Sequence, residues 1–215
     1  MKKAFFRIIC IMLLTVMTVS IAACAEENAA DNGTSNQGGN GGNSATVRPE
    51  NDPSVVKNYY YKPEIADSSV DLVKNGETDH VIVYPAESNS MMDGSVRELK
   101  LFFEEATGIE LRSYKDSEYT SKGLDNPYIS IGQTTMFAKA GLSVDTMELG
   151  ASGYEIKLIG SNVYIAGGYY GNRYGVYEFL SYEFGFEQYA PDEIHLDKKS
   201  SVKIKAFDLK DIPDS

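Results

Sequence analysis

From Val163 to Phe184 the chain reads Val-Tyr-Ile-Ala-Gly-Gly-Tyr-Tyr-Gly-Asn-Arg-Tyr-Gly-Val-Tyr-Glu-Phe-Leu-Ser-Tyr-Glu-Phe. This is a short buried strand, a glycine loop and a helix in immediate succession, and it commits the fold to laying a helix on a sheet. From Tyr174 the apolar residues recur at Tyr177, at Leu180 with Phe179 beside it, and at Phe184, a helical spacing that predicts one face packed on the sheet. Gly185 then ends the helix, because the residue past a helix end commonly takes a left-handed backbone that glycine adopts without steric cost.

Upstream, Val70–Val73 and His80–Tyr84 read as strands of a hairpin turning at Asn75-Gly76. A helix is expected from Gly94 or Ser95 to Thr107, with Val96, Leu99, Phe103 and Ala106 on one face and Gly108 as its stop. Strands are expected at Ile109–Tyr114 and Tyr128–Gly132, a short helix within Thr134–Ala140, and a second hairpin from Tyr154–Ile159 and Asn162–Ala166. Phe186–Tyr189 and Val202–Ala206 are expected to close the sheet or its edge. The predicted class is α+β, a two-layer mixed sheet with helices mainly on one face.

Seven segments carry a resemblance. They are Val81-Ile-Val-Tyr-Pro85, Phe102-Phe-Glu-Glu-Ala-Thr-Gly108, Ile129-Ser-Ile-Gly-Gln-Thr134, Gly153-Tyr-Glu-Ile-Lys157, Ile165-Ala-Gly-Gly168, Tyr174-Gly-Val-Tyr-Glu-Phe-Leu180 and Tyr189-Ala-Pro-Asp-Glu193. In this order they resemble the N-terminal domain of bacterial alpha-glucuronidase-like glycoside hydrolases, itself similar to the non-catalytic domain before the barrel of bacterial-type beta-hexosaminidases. The resemblance implies a domain without catalytic residues, normally followed by a (β/α) barrel that carries the acid and base. The sequence ends at Ser215 with no such barrel, and Phe207-Asp-Leu-Lys-Asp-Ile-Pro213 resembles the linker entering it. Two readings therefore stand: a non-catalytic accessory domain in carbohydrate metabolism, or the N-terminal portion of a glycoside hydrolase. A weak carbohydrate-binding module is a third.

The first 23 residues read as a lipoprotein signal peptide. Met1-Lys-Lys and Arg7 form a positive region, and Ile8–Val19 is an apolar run of signal-peptide length, too short for a membrane span. Ile21-Ala-Ala-Cys24 resembles the bacterial lipobox, so Cys24 is the expected lipidation site and the expected location is the extracytoplasmic face of a bacterial cell membrane. The alternative is an ordinary secreted protein with an incidental cysteine. Cys10 falls in the leader, so the mature chain has no disulfide, zinc-type cysteine cluster or free thiol nucleophile. Residues 24–54 are rich in Asn, Gly and Ser and nearly devoid of large apolar side chains, the composition of a disordered tether. About 30 such residues reach on the order of 30 Å. The domain is assigned to residues 55–215. Tyr59-Tyr-Tyr61 with Lys62-Pro63 is either an arm packing its rings on the domain's edge or an aromatic binding patch.

The formal charge of −11 becomes more negative once Lys2, Lys3 and Arg7 leave with the leader, and such a surface repels nucleic acid. The chain has 15 tyrosines and no tryptophan, so any sugar stacking falls to tyrosine. Asp192-Glu193 tempts as a glycosidase pair, but it belongs to the Tyr-Ala-Pro-Asp-Glu segment, where acids are expected to cap a turn. Glu104-Glu105 are adjacent on a helix and point apart. His80 and His195 lack metal-ligand spacing, and no serine sits in a nucleophile elbow. No catalytic residue, metal or cofactor is therefore nominated. Gly167–Gly171 precedes a helix, where free N–H groups can hold an anion, but it lacks the spacing of phosphate loops. Close approach of a neighbouring surface, in the family the barrel, is the preferred explanation of these glycines. It leaves Tyr169, Tyr170 and Arg173 as exposed residues for contact with a partner protein or polysaccharide.

Overall fold

The computed structural model describes residues 62–190 and 193–212. In chain order its elements are β1 (Asp67–Val73), β2 (Val81–Tyr84), α1 (Ser90–Thr107), β3 (Ser113–Lys115), α2 (Asp116–Ser121), β4 (Tyr128–Ile131), α3 (Thr135–Lys139) and α4 (Thr146–Leu149). Then follow β5 (Tyr154–Ile159), β6 (Asn162–Gly167), α5 (Gly171–Phe184), β7 (Glu187–Ala190), β8 (Glu193–His195), β9 (Val202–Lys205) and β10 (Asp208–Asp211). The main sheet has the order β10-β5-β6-β4-β2-β3; β3, β2, β4 and β6 pair parallel, and β5 runs antiparallel to both its neighbours, β6 and β10. The fold is α+β with a mixed sheet.

Alternation along the strands sorts the core. Ile82, Ile129, Ile131, Val163 and Ile165 face the cluster built by α1 and α5. Val81, Val83, Tyr164 and Ala166 face the other side, where α2 and α3 contribute Tyr119, Met136 and Phe137. The two long helices thus share one face, and only short helices cover the other. The Val81-Ile-Val83 run is apolar at every position because β2 is buried on both faces between β3 and β4.

α1 buries Val96, Leu99, Phe103 and Ala106, the predicted face, and stops at Gly108 with φ 76°. It begins at Ser90, several residues earlier than expected, because the Asn89 side chain accepts the Met92 N–H and caps the first turn. Phe103 is fully buried edge-on to Phe184 at 5.5 Å, so Phe103→Ala would cost about 3–5 kcal/mol.

α5 ends at Gly185 (φ 62°) as predicted, but its buried face is rotated by about one residue from the expected stripe. The sheet-facing residues are Gly175, Val176, Phe179, Leu180 and Phe184, whereas Tyr174 is 44% exposed and Tyr177 only half-buried. The cause is Gly175: a Cβ there would lie 2.6 Å from Ile165 Cγ2, so the helix approaches the sheet at the one position lacking a side chain.

Three expectations about strand pairing are corrected. Asn75 (φ 53°) and Gly76 (φ 81°) do make the turn, closed by Lys74 N–H to Glu77 O and its reciprocal, but β1 and β2 do not form a hairpin. β1 pairs instead with β9, because the all-apolar β2 needs a site covered on both faces. Val202–Ala206 therefore does not extend the main sheet, and β7 pairs only with β8. The edge beside β5 is β10, formed by Asp208–Asp211 within the segment that resembles a linker. The expected strand at Ile109–Tyr114 contracts to Ser113–Lys115.

Candidate functional site

The glycine loop is filled by the domain itself. A Cβ on Gly168 would overlap the Gly150 carbonyl oxygen, and one on Gly171 the Gly153 carbonyl oxygen. Gly168 N–H donates to Gly153 O at 3.0 Å, Tyr170 N–H to Ala151 O at 2.8 Å and Gly171 N–H to Ala151 O at 3.2 Å. Gly167 N–H donates to Asn172 Oδ1 at 3.1 Å. These N–H groups are already engaged by carbonyls, so the loop has no open anion cradle there. The close approach expected from the sequence is real, but the surface approached is residues 150–153 of the same domain, not a following barrel.

Of the three nominated contact residues, Tyr169 and Tyr170 are 55% and 43% exposed and meet edge to face at 4.8 Å. Arg173 is not fully exposed. It is half-buried between α5 and α1, with Nε 3.1 Å from Glu98 Oε2 but without hydrogen-bond alignment. Tyr177 Oη donates to the same carboxylate oxygen at 2.7 Å. Burial and that bond push the Tyr177 hydroxyl up to about 12.

In open sheets of this kind, ligands favour the carboxyl ends of parallel strands where successive crossovers diverge, here the ends of β2 and β4. That place is stitched shut. Asp116 is buried, and its Oδ1 accepts the N–H of Ala86 at 3.0 Å and of Ser117 at 2.7 Å, while Oδ2 accepts the N–H of Thr135 at 2.9 Å. A Cβ on Gly132 would lie 2.5 Å from the Met92 methyl carbon, which covers the β4 end.

The other candidates do not converge. Glu104 and Glu105 lie exposed on α1, and Glu193 is exposed at the start of β8. His80 is buried with Nε2 3.0 Å from Ser161 O, and burial holds its pKa below the usual value. His195 is exposed beside Asp197 at 3.5 Å. Among the described residues no group of His, Cys, Asp or Glu is placed to hold a metal, and no helix is long and apolar enough to cross a membrane. The signal peptide, Cys24, the tether, Tyr59–Tyr61 and Asp192 lie outside the described residues.

Sequence reasoning missed a groove of about 410 Å³ along the outer face of α5. Tyr174, Tyr177, Glu178 and Ser181 line it at helical spacing, and Tyr154 and Phe186 lie beneath them. Tyr177 stacks on Phe186 with centroids 5.2 Å apart and planes 17° apart. Ser152, Gln188 and Asp211 form its polar rim. Glu178 is raised chiefly by burial, with Lys62 lowering it and Asp211 adding a smaller rise. Tyr154 is raised by burial and by the same two acids. Lys62 lies beyond the lining, its ammonium donating to Ser181 Oγ at 2.6 Å and lying 4.0 Å from the Tyr182 ring centroid. The signal for this groove was the Tyr-x-x-x-Tyr-x-x-Tyr-Glu spacing from Tyr170 to Glu178, part of which resembled a sheet-facing stripe.

No protein-family model matches the chain, and no curated protein matches it.

Proposed function

We propose that this chain is a non-catalytic contact domain, tethered through a lipidated Cys24 at the outer face of a bacterial cell membrane and related to the N-terminal domains of alpha-glucuronidase-like glycoside hydrolases. The observation that carries the reading is what the domain presents. The glycine loop's donors are engaged internally, and of the candidate acids the described ones, Glu104, Glu105 and Glu193, are exposed to solvent. The exposed feature near the start of α5 is a set of tyrosine rings at 169, 170 and 174. Amphipathic rings of this kind give large contact area at low entropic cost, in keeping with packing against a protein or polysaccharide. The seven segments resembling the hydrolase family support the link to carbohydrate metabolism.

Cell fractionation and assay of the full chain test this reading. Cys24→Ala should release the protein from the membrane fraction or leave it as unprocessed precursor. The wild-type chain should show no turnover of aryl glycosides. Continued anchoring of the variant, or turnover abolished at Glu193, overturns the proposal.

A further inference from the structure

We propose that the groove along α5 binds an amino sugar that carries a free ammonium group. The inference rests on the contact-domain reading and names the ligand class. Three features of the groove point to the same chemistry. Its platform is flat and fixed, because Tyr177 is stacked on Phe186 and tied by its hydroxyl to Glu98, while Tyr174 stands 44% exposed beside it. Such phenol faces suit the C–H face of a pyranose ring. Its rim carries Ser152 and Gln188, which can pair with sugar hydroxyls.

The charge decides between sugars. Glu178 and Asp211 both line the groove, and among the described residues no cationic side chain does; Lys62 lies beyond the lining, on Ser181. There the Lys62 ammonium donates to Ser181 Oγ and lies over the Tyr182 ring, and burial lowers its pKa. A ligand ammonium in the groove would meet the Glu178 and Asp211 carboxylates of its lining. Because the described lining holds two carboxylates and no cationic side chain, a sugar ammonium complements its charge, an anionic sugar is repelled, and a bare alkylammonium leaves the platform and rim unused. The groove's volume of about 410 Å³ falls within the range of small-molecule sites.

Calorimetric titration of the full chain tests this with three probes: a β-1,4-linked glucosamine tetramer, its fully N-acetylated counterpart and tetralysine. The glucosamine tetramer should bind saturably and the other two at least about ten-fold more weakly, the equivalent of one lost charge-assisted contact. Tyr174→Ser and Glu178→Gln, both at surface-accessible positions, should each weaken the glucosamine tetramer by about ten-fold. Tyr189→Ser, outside the groove, should leave its affinity unchanged. Equal affinity for the acetylated tetramer or for tetralysine, indifference to Tyr174→Ser and Glu178→Gln, or no saturable binding at all overturns the proposal. Any of these results leaves the fractionation and turnover outcomes as they were, so the two proposals fail separately.

Discussion

Glu183 accepts the backbone N–H of Lys205 through Oε1 at 2.8 Å, while its Oε2 is buried without a hydrogen-bond partner. The residue is 1% exposed, so α5 carries a carboxyl out of water to join β9, and burial pushes its pKa from 4.5 up to about 7. Between those values the folded chain holds a proton that the unfolded chain releases. Stability from this group therefore falls as pH rises from about 4.5 to about 7 and is level above that. Glu183→Gln keeps the acceptor for Lys205 and abolishes the titration. Urea midpoints measured from pH 4.5 to 7.5 should fall less steeply in the variant, the difference amounting to on the order of 2–3 kcal/mol.

Gly175→Ala should destabilise the domain by about 1–3 kcal/mol, because the new methyl meets Ile165 Cγ2 and lifts α5 from the sheet. Equilibrium denaturation reads this directly. A neutral or stabilising result would mean that the helix–sheet spacing is looser than described.

Gly168→Ala and Gly171→Ala should be worse than Gly175→Ala, since their methyls would meet carbonyl oxygens of the 150–153 segment rather than a side chain that can shift. Loss of soluble protein, or faster amide exchange at Tyr170 and Gly171, is the expected result. Tyr169→Ser, at the exposed tip of the same loop, should stay within about 0.5 kcal/mol of the wild type.

Asp116→Ala leaves the N–H groups of Ala86 and Thr135 without their acceptor and should cost about 2–4 kcal/mol. Asp116→Asn should lose less, because one oxygen remains for Ala86 and Ser117 while an amide faces the Thr135 N–H. Denaturation midpoints ordered wild type, Asn, Ala would bear this out; an Ala variant as stable as wild type would not.

What could be read from the sequence was what neighbours in the chain decide. Gly108 and Gly185 stop their helices, and the β5–β6 hairpin turns at Gly160 (φ 61°), each through backbone preferences that act within a few residues. The face of α1 was legible because only one stripe of that helix is apolar. On α5 two stripes qualify by residue type, one of tyrosines and one of Val176, Phe179 and Leu180, and tyrosine is at home in either setting. Gly175 was the local clue that settles which stripe meets the sheet. The pairing of β1 with β9 brings Asp67 opposite Lys205, and nothing near either residue announces the other. Nothing beside Asp116 or Glu183 in the sequence marks them for burial, because their roles depend on loops and strands supplied elsewhere in the chain.

The interlock between the 150–153 segment and the start of α5 has one more consequence. Ser152 stands in the wall of the groove, while its neighbours Ala151 and Gly153 grip Gly168, Tyr170 and Gly171 through their carbonyls. Wall and helix are thus set before any guest arrives. Entry would demand little ordering of the host, and the free energy of each contact would go to affinity and selectivity instead of to shaping the cleft.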